Sequence, residues 1–367
     1  VEDDADDYLA CSNARRDLDM TVLGDTAIIW NRSVVVENEP APAPSATTPA
    51  LVYIKGSAYG RTYTVTLNGT NTATFTTPDG DTPTDVQELD TEYIANELGD
   101  VLVANGATLT RIGSLLFIAD VDQIYGEDGQ GGAAMSIITG TVQRVSDLPA
   151  KAKNGFTVGV GQVTEGSRAD FYLQFVDPNN DGNGNWVEIL APDEEPGIDV
   201  TTMPVTLTRQ ADNTFVLAQA PWKQREVGTT ISVPDTAFVG RPIQDVFYFL
   251  GRLAIVAGED IAFGAANDLY RFYRFTAREL LDDDPFALSA SSDKVSPLRY
   301  VKAIGSTVVA FADQAQFQLT HATETFSRAG SKLVETTAYE VASGCRAVSL
   351  GQTLAFAAFN AAMAASS

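Results

Sequence analysis

One pattern recurs along this chain and limits what it can fold into. An apolar strand is followed by a glycine with a polar neighbour, a second apolar strand, two or three polar residues, and a third alternating strand. The copies are "MTVLGDTAIIWNRSVVV" around Gly24, "VFYFLGRLAIVAGEDIAFG" around Gly251, "RYVKAIGSTVVAFADQAQFQLT" around Gly305 and "CRAVSLGQTLAFAAFNAAMAA" around Gly351. The last three glycines are 54 and 46 residues apart. Units of about 40 to 50 residues, each with three or four short strands, are the mark of propeller blades, and a blade must stack on neighbours to bury both faces. The chain breaks off soon after the fourth copy, within the expected blade.

Gly24 and Gly251 are 227 positions apart, far more than one blade, so material is inserted there. The Pro/Ala-rich stretch "ENEPAPAPSATTPA" (37–50) reads as an extended spacer. Beyond it, period-two alternation in "LVYIKGSAYGRTYTVTLNGTNTATFTT" predicts strands with "NGTN" as a turn. "DTEYIANELGDVLVAN" (90–105) predicts a helix, N-capped by Asp90 or Thr91, with Ile94, Leu98, Val101 and Leu102 on one face. "QIYGEDGQGGAA" (123–134) reads as a flexible loop; it is no phosphate loop, because no Gly-Lys-Ser/Thr follows. A second inserted unit holds "NGFTVGV", a hairpin containing 177–188, and the hairpin "MPVTLTRQADNTFVLAQA". The expected fold is mainly β: a partial β-propeller interrupted by inserted α+β and β domains. Its expected parts are 1–49 (propeller segment and linker), 50–146 (inserted α+β domain), 147–237 (second inserted, mainly β domain) and 238–367 (truncated propeller blades).

The candidate site is "DPNNDGNGNWVE" (177–188), which fits the calcium-loop template D-x-[DN]-x-[DN]-G-x5-E without a gap. Asp177, Asn179 and Asp181 take the first three ligand positions, Gly182 the sharp turn, Asn183 offers its carbonyl, Asn185 binds directly or through water, and Glu188 closes the site. The flanks "DFYLQFV" and "WVEIL" are strand-like, so this is the tip of a β-hairpin and not an EF-hand. Two readings stay open: calcium as cofactor, or a long solvated turn, since Asn, Asp and Gly dominate turns for backbone reasons alone. If Trp186 packs into the sheet, alternation sends Glu188 to the same face and away from the tip.

With 367 residues the chain can build two or three domains, and it has no apolar run long enough to span a membrane. No signal peptide is visible, and Val1 at the start is expected of a fragment or a processed product. Cys11 and Cys345 are far apart, which argues against a disulfide scaffold or a Cys-based metal site. His321 is the single histidine; "QLTHATE" around it shows no nucleophile elbow and reads as a strand-end polar residue. The formal charge of −24, from 48 acidic and 24 basic residues, excludes a protein that wraps nucleic acid by neutralising phosphates. It suits either plain solubility or a surface that must not hold a polyanion.

Several stretches together resemble one family. They are "NARRDLDMTVLGDTAIIWNR" (13–32), "YGR" (59–61), "PDG" (78–80), "LPAKAKNG" (148–155), "TMPVTLTR" (202–209), "FVGRPIQDVFYFLGRL" (238–253), "DDDPFALS" (282–289) and "FADQAQFQLT" (311–320). In this order they are similar to the tail tubular protein B, or nozzle, family of T7-like short-tailed bacteriophages, over residues 13 to about 350. The resemblance implies a homohexameric ring beneath the portal and the adaptor ring of tail tubular protein A. It further implies a β-propeller with inserted domains, a channel for double-stranded DNA, fibres or other tail proteins outside, and a place in the virion tail after synthesis in the host cytoplasm. Chains of this family are considerably longer, and a relative within it keeps the Trp-x-Glu of "WVE" (186–188) after a shorter tip without this Asp/Asn series.

The functional expectation is therefore a structural conduit for DNA ejection, not an enzyme, whose acidic wall lets DNA pass without stable binding. "DDADD" (3–7), "PDEEPG" (192–197) and "LDDDP" (281–285) are candidate acidic edges, each more readily read as a solvated loop. The alternatives are a tail-associated hydrolase of surface polysaccharide or cell wall, which needs carboxylates paired at about 5 to 9 Å, and a calcium-dependent adhesion propeller.

Overall fold

The computed structural model describes residues 5–43, 49–119, 121–161, 169–291, 297–305, 307–321, 326–342, 345–351 and 353–358. Asp3 and Asp4 of the first acidic edge, part of the 37–50 spacer and the end of the fourth repeat copy lie outside them. The chain is mainly β and divides into two compact units, one of Val1–Ala41, Glu195–Glu226 and Val233–Ser367, the other of Pro42–Glu194 and Val227–Ser232.

The first unit is a series of antiparallel sheets. Sheet one orders Leu18–Leu23, Thr26–Asn31, Val205–Arg209 and Phe215–Gln219. Sheet two is Asp245–Phe249, Arg252–Ala257, Asp260–Phe263 and Phe286–Ser289; sheet three is Leu298–Ile304, Thr307–Ala312, Gln316–His321 and Ser331–Thr337. Val348–Leu350 and Thr353–Ala355 form a further pair. The glycine of every repeat copy lies in the first hairpin turn with positive φ, from +56° at Gly305 to +81° at Gly251. That left-handed backbone lets two strands reverse within two residues, and a Cβ would oppose it. Among the described residues none of the sheets closes on itself.

Sheet one differs from expectation in an instructive way. Its third strand was expected from "NRSVVV"; instead the chain departs after Asn31, and Val35 makes only an isolated bridge to Pro242. The third and fourth places are filled by the 202–219 hairpin, expected in the second insert, in the register Val205↔Ile29 to Thr208↔Thr26. Thr26 and Thr208 add an Oγ–Oγ hydrogen bond of 3.1 Å.

Sheets two and three share one core, in which Val256, Ile261, Phe263 and Phe286 meet Val301, Val308, Phe317 and Phe326. Phe263 stacks on Phe286 at 5.1 Å and meets the edge of Phe326 at 5.0 Å. Every residue of Arg252–Ala257 is buried, so that strand is covered on both faces. Polar links join the sheets. Buried Asp245 accepts from Val301 N (2.7 Å) and Arg346 Nη2 (2.8 Å), and Arg346 also reaches Asp19 of sheet one at 2.7 Å. Trp30 Nε1 and Arg32 Nε both donate to the Gln244 carbonyl. Segments 18–31 and 245–301 are thus neighbours in one unit although more than 200 residues separate them. The chain leaves this unit through Asn38–Glu39 and returns through Gly197–Ile198, which pair antiparallel as a clasp.

The second unit is built on an eight-stranded sheet in the order Asn185–Ile189, Phe171–Val176, Thr157–Val160, Thr141–Val142, Met135–Thr139, Ala50–Ile54, Leu115–Ile118 and Leu109–Ile112. It runs without a break past residue 146, where two inserted domains were expected to part, because Thr141–Val142 pairs in parallel with Thr157–Val160. A three-stranded sheet of Asn71–Thr76, Thr62–Leu67 and Ile124–Glu127 shares a core with it. The predicted helix is Thr91–Ala104, capped by the Asp90 carboxylate on Glu92 N at 2.8 Å. Ile94, Ala95, Leu98 and Leu102 are buried, while Val101, expected on that face, is 39% exposed. The rotation is small: Ala95, one turn before Leu98, takes the place that Val101 was given.

Candidate functional site

The hairpin carrying the calcium-loop pattern forms as expected. Phe171–Val176 pairs with Asn185–Ile189, in register from Tyr172↔Ile189 to Val176↔Asn185, leaving 177–184 as the tip. Gly182 has φ +82°, as the sharp-turn position requires, and a Cβ there would stand 2.6 Å from Ile112 Cγ2. The turn half of the template is therefore real.

The ligand half is arranged otherwise. Asp177 is fully buried, and its two carboxylate oxygens accept Asn179 N (3.2 Å) and Gly182 N (2.7 Å) of its own loop. Its backbone N–H donates to Asn154 Oδ1 at 2.9 Å. Asp181 Oδ1 accepts Asn183 N at 2.9 Å. The backbone and side chain of Asn183 hold the Asp181 carboxyl below the usual carboxylate range, and the Lys151 cation adds to this. Asn185 is already in the ladder opposite Val176. Glu188 lies three residues further, about 10 Å along the strand, opposite the buried Leu173. It shares a face with Trp186, which packs edge-on to Phe175 (5.3 Å) and donates Nε1 to the Pro149 carbonyl. Among the described residues no group of three or more His, Cys, Asp or Glu is placed to hold a metal. The structure gathers Asp177, Asn179 and Gly182 through backbone hydrogen bonds, and does not bring Asp177, Asp181 and Glu188 into one such group.

Two of the three candidate acidic edges are likewise parts of loops. In "LDDDP", Asp284 is buried and caps Leu281 N (2.8 Å) and Phe275 N (3.1 Å). Buried Arg252 donates to the carbonyls of Asp282 and Asp284 at 2.6 and 2.9 Å. In "PDEEPG", buried Glu194 accepts both Thr230 N and Thr230 Oγ1. His321 ends its strand beside Phe326 and Phe249, and Cys11 and Cys345 are both free thiols.

The residue that sequence reading passed over is Asp128. The stretch 123–134, expected to be flexible, begins as a strand (Ile124–Glu127) and continues as a loop wound around this buried carboxylate. Asp128 Oδ1 accepts Gln130 N (2.8 Å) and Gly132 N (3.0 Å); Oδ2 accepts Ala134 N (2.6 Å) and Met135 N (3.0 Å). Burial alone would raise its pKa, but the four donors outweigh that and hold it far below the usual range. Its signal in the sequence was an aspartate immediately before a Gly-rich run, the composition of a backbone N–H nest.

These sites cap and orient loops; none of them assembles a nucleophile, base and oxyanion donor. No helix among the described residues is long and apolar enough to cross a membrane. Over 361 residues the chain is 28% identical to the tail tubular protein gp12 of Escherichia phage T7, a match covering 95% of this chain and 45% of that relative, so the chain spans less than half the relative's length. The bacteriophage nozzle protein family matches residues 1–366. The chain thus belongs to the bacteriophage nozzle proteins, structural components of the virion tail.

Proposed function

We propose that this chain forms part of a ring-shaped nozzle, a homohexamer joined to an adaptor ring, through which double-stranded DNA leaves the virion and on which fibres or other tail proteins are mounted. The observation that carries this reading is the family match over residues 1–366. Three four-stranded antiparallel sheets in succession, with a strand buried on both faces, support a partial propeller as the ring's building element. The net charge of −24 suits a conduit: a fixed cation in the wall would hold the strand by counterion release, whereas fixed acids let it slide. Because Asp284 and Glu194 are committed to loop hydrogen bonds, the wall charge would come from other, exposed acids. Neither the hydrolase nor the adhesion propeller is favoured by the family.

Electron microscopy of the intact protein mixed with its adaptor ring tests the proposal. The expected result is a closed sixfold ring whose channel admits duplex DNA. Monomers at every concentration would overturn it, as would a ring that retains duplex DNA at low salt.

A further inference from the structure

Asn-Gly is the dipeptide at which a chain most readily modifies itself. The glycine nitrogen attacks the side-chain carbonyl carbon of the asparagine, and no Cβ on the glycine stands in the way. The step needs a glycine N–H that can give up its proton and a side chain that can swing onto the backbone. This chain has four such pairs: Asn68–Gly69, Asn105–Gly106, Asn154–Gly155 and Asn183–Gly184. The asparagine is exposed in every one, so exposure does not separate them. Hydrogen bonding does.

Three pairs are locked. Asn68 Oδ1 accepts Asp122 N (3.1 Å) and Gln123 N (3.0 Å), which pins the carbonyl that would be attacked. Gly106 N donates to the Val103 carbonyl at 2.9 Å. Asn154–Gly155 is locked twice: Gly155 N donates to the Phe175 carbonyl at 2.8 Å, and Asn154 Oδ1 accepts Asp177 N at 2.9 Å. The fourth pair differs. Gly184 N donates to no group among the described residues. Asn183 leans on its exposed neighbour Asp181, through its own N–H (2.9 Å) and its side-chain amide. That contact holds the nitrogen that would leave and not the carbonyl carbon that would be attacked. Nor is the glycine replaceable, since a Cβ at 184 would stand 2.2 Å from the Val176 carbonyl oxygen. The hairpin keeps the labile pair because its turn needs the glycine.

We propose that Asn183–Gly184 is a site of spontaneous deamidation. A bond forms from Gly184 N to Asn183 Cγ as the Gly184 proton is lost to solvent. The Cγ–Nδ2 bond breaks, and the nitrogen takes up a proton and leaves as ammonia. Water then opens the succinimide at either carbonyl, giving aspartate or isoaspartate, with no oxidant or reductant involved. The product adds one negative charge beside Asp181 to a chain already at −24. Its isoaspartate form also routes the backbone through the side chain, lengthening a tip that is closed by the Val176↔Asn185 pair.

Peptide mapping by mass spectrometry, after the folded protein has been aged at mildly alkaline pH, reads all four pairs together, each conversion adding about 1 Da. Asn183 should convert at least about tenfold faster than Asn68, Asn105 or Asn154, because each locked pair must first give up its hydrogen bonds. In urea the locks are gone and the four rates should draw level. Asn183→Gln should remove the early product and leave the slow ones. Equal rates in the folded protein would overturn the assignment, as would an early product that survives Asn183→Gln. So would a lead of Asn183 that persists undiminished in urea, because it would then belong to the local sequence and not to the fold.

Discussion

Two loops of the second unit, 128–135 and 177–184, read very differently in the sequence and are built on the same device. One looked like Gly-rich slack and the other like a calcium site. In both, a buried aspartate at the first position turns its carboxylate inward and accepts backbone N–H groups that the turn would otherwise strand. The difference is of degree: Asp128 accepts four such bonds and Asp177 two. A calcium-loop template selects Asp, Asn and Gly at turn positions, and those residues are what a self-capped turn also requires. The template therefore detects the turn first and the metal second, and it misses a stronger nest whose spacing differs.

The comparison is broken most severely by Asp128→Ala. Four N–H groups lose their acceptor, two of them, on Ala134 and Met135, buried, and the second unit should lose at least about 2 kcal/mol of stability, measured by urea unfolding. If the variant unfolds like the wild type, the loop is held by something other than this carboxylate. Next in size is the acid limb of the stability curve. The Asp128 carboxyl titrates lower in the folded chain than in the unfolded one, so the unfolded state binds the extra proton. Its contribution is complete above about pH 4 and is lost progressively as the pH falls toward the folded value. Asp128→Asn should flatten this limb, and parallel acid limbs for the two proteins would refute the link. Asp177→Ala should cost less, about 1–2 kcal/mol, with proteolytic nicking confined to 177–184. A larger loss than in Asp128→Ala would reverse the ranking. The smallest effect expected is that of calcium. If Asp177 and Asp181 serve their own loop, millimolar calcium leaves the melting temperature unchanged in the wild type and in Asp181→Ala alike. A calcium-dependent rise that Asp181→Ala abolishes would make 177–188 a metal site after all.

Much of the architecture was legible because it is periodic. The repeat located the hairpins of sheets one, two and three, and the spacing of Ile94, Leu98 and Leu102 found the helix and its inner face. Strand alternation and the Trp186 packing anticipated that Glu188 would face away from the tip. What could not be read is set by pairing between distant segments. "NRSVVV" is as good a strand locally as "VTLTR", and only the register against Ile29 decides between them. The continuity of the eight-stranded sheet past residue 146 rests on two residues, Thr141 and Val142, too few to leave a pattern.

The division of sheet one between 18–31 and 205–219 has a consequence in time. During synthesis its first hairpin emerges with Met20 and Val22, 58% and 61% exposed even in the finished fold, and waits for partners about 175 residues away. At roughly 5 to 20 residues per second the ribosome needs on the order of 10 to 30 seconds to supply them. In that interval the intervening unit, nearly all of it one continuous stretch, can fold by itself. The Asn38–Glu39 and Gly197–Ile198 clasp then replaces the closure of a long floppy loop with that of a short tether. The strand order thus fixes when sheet one can be completed during synthesis, and a slow or misfolded insert would leave an unpaired apolar hairpin open to the wrong neighbour.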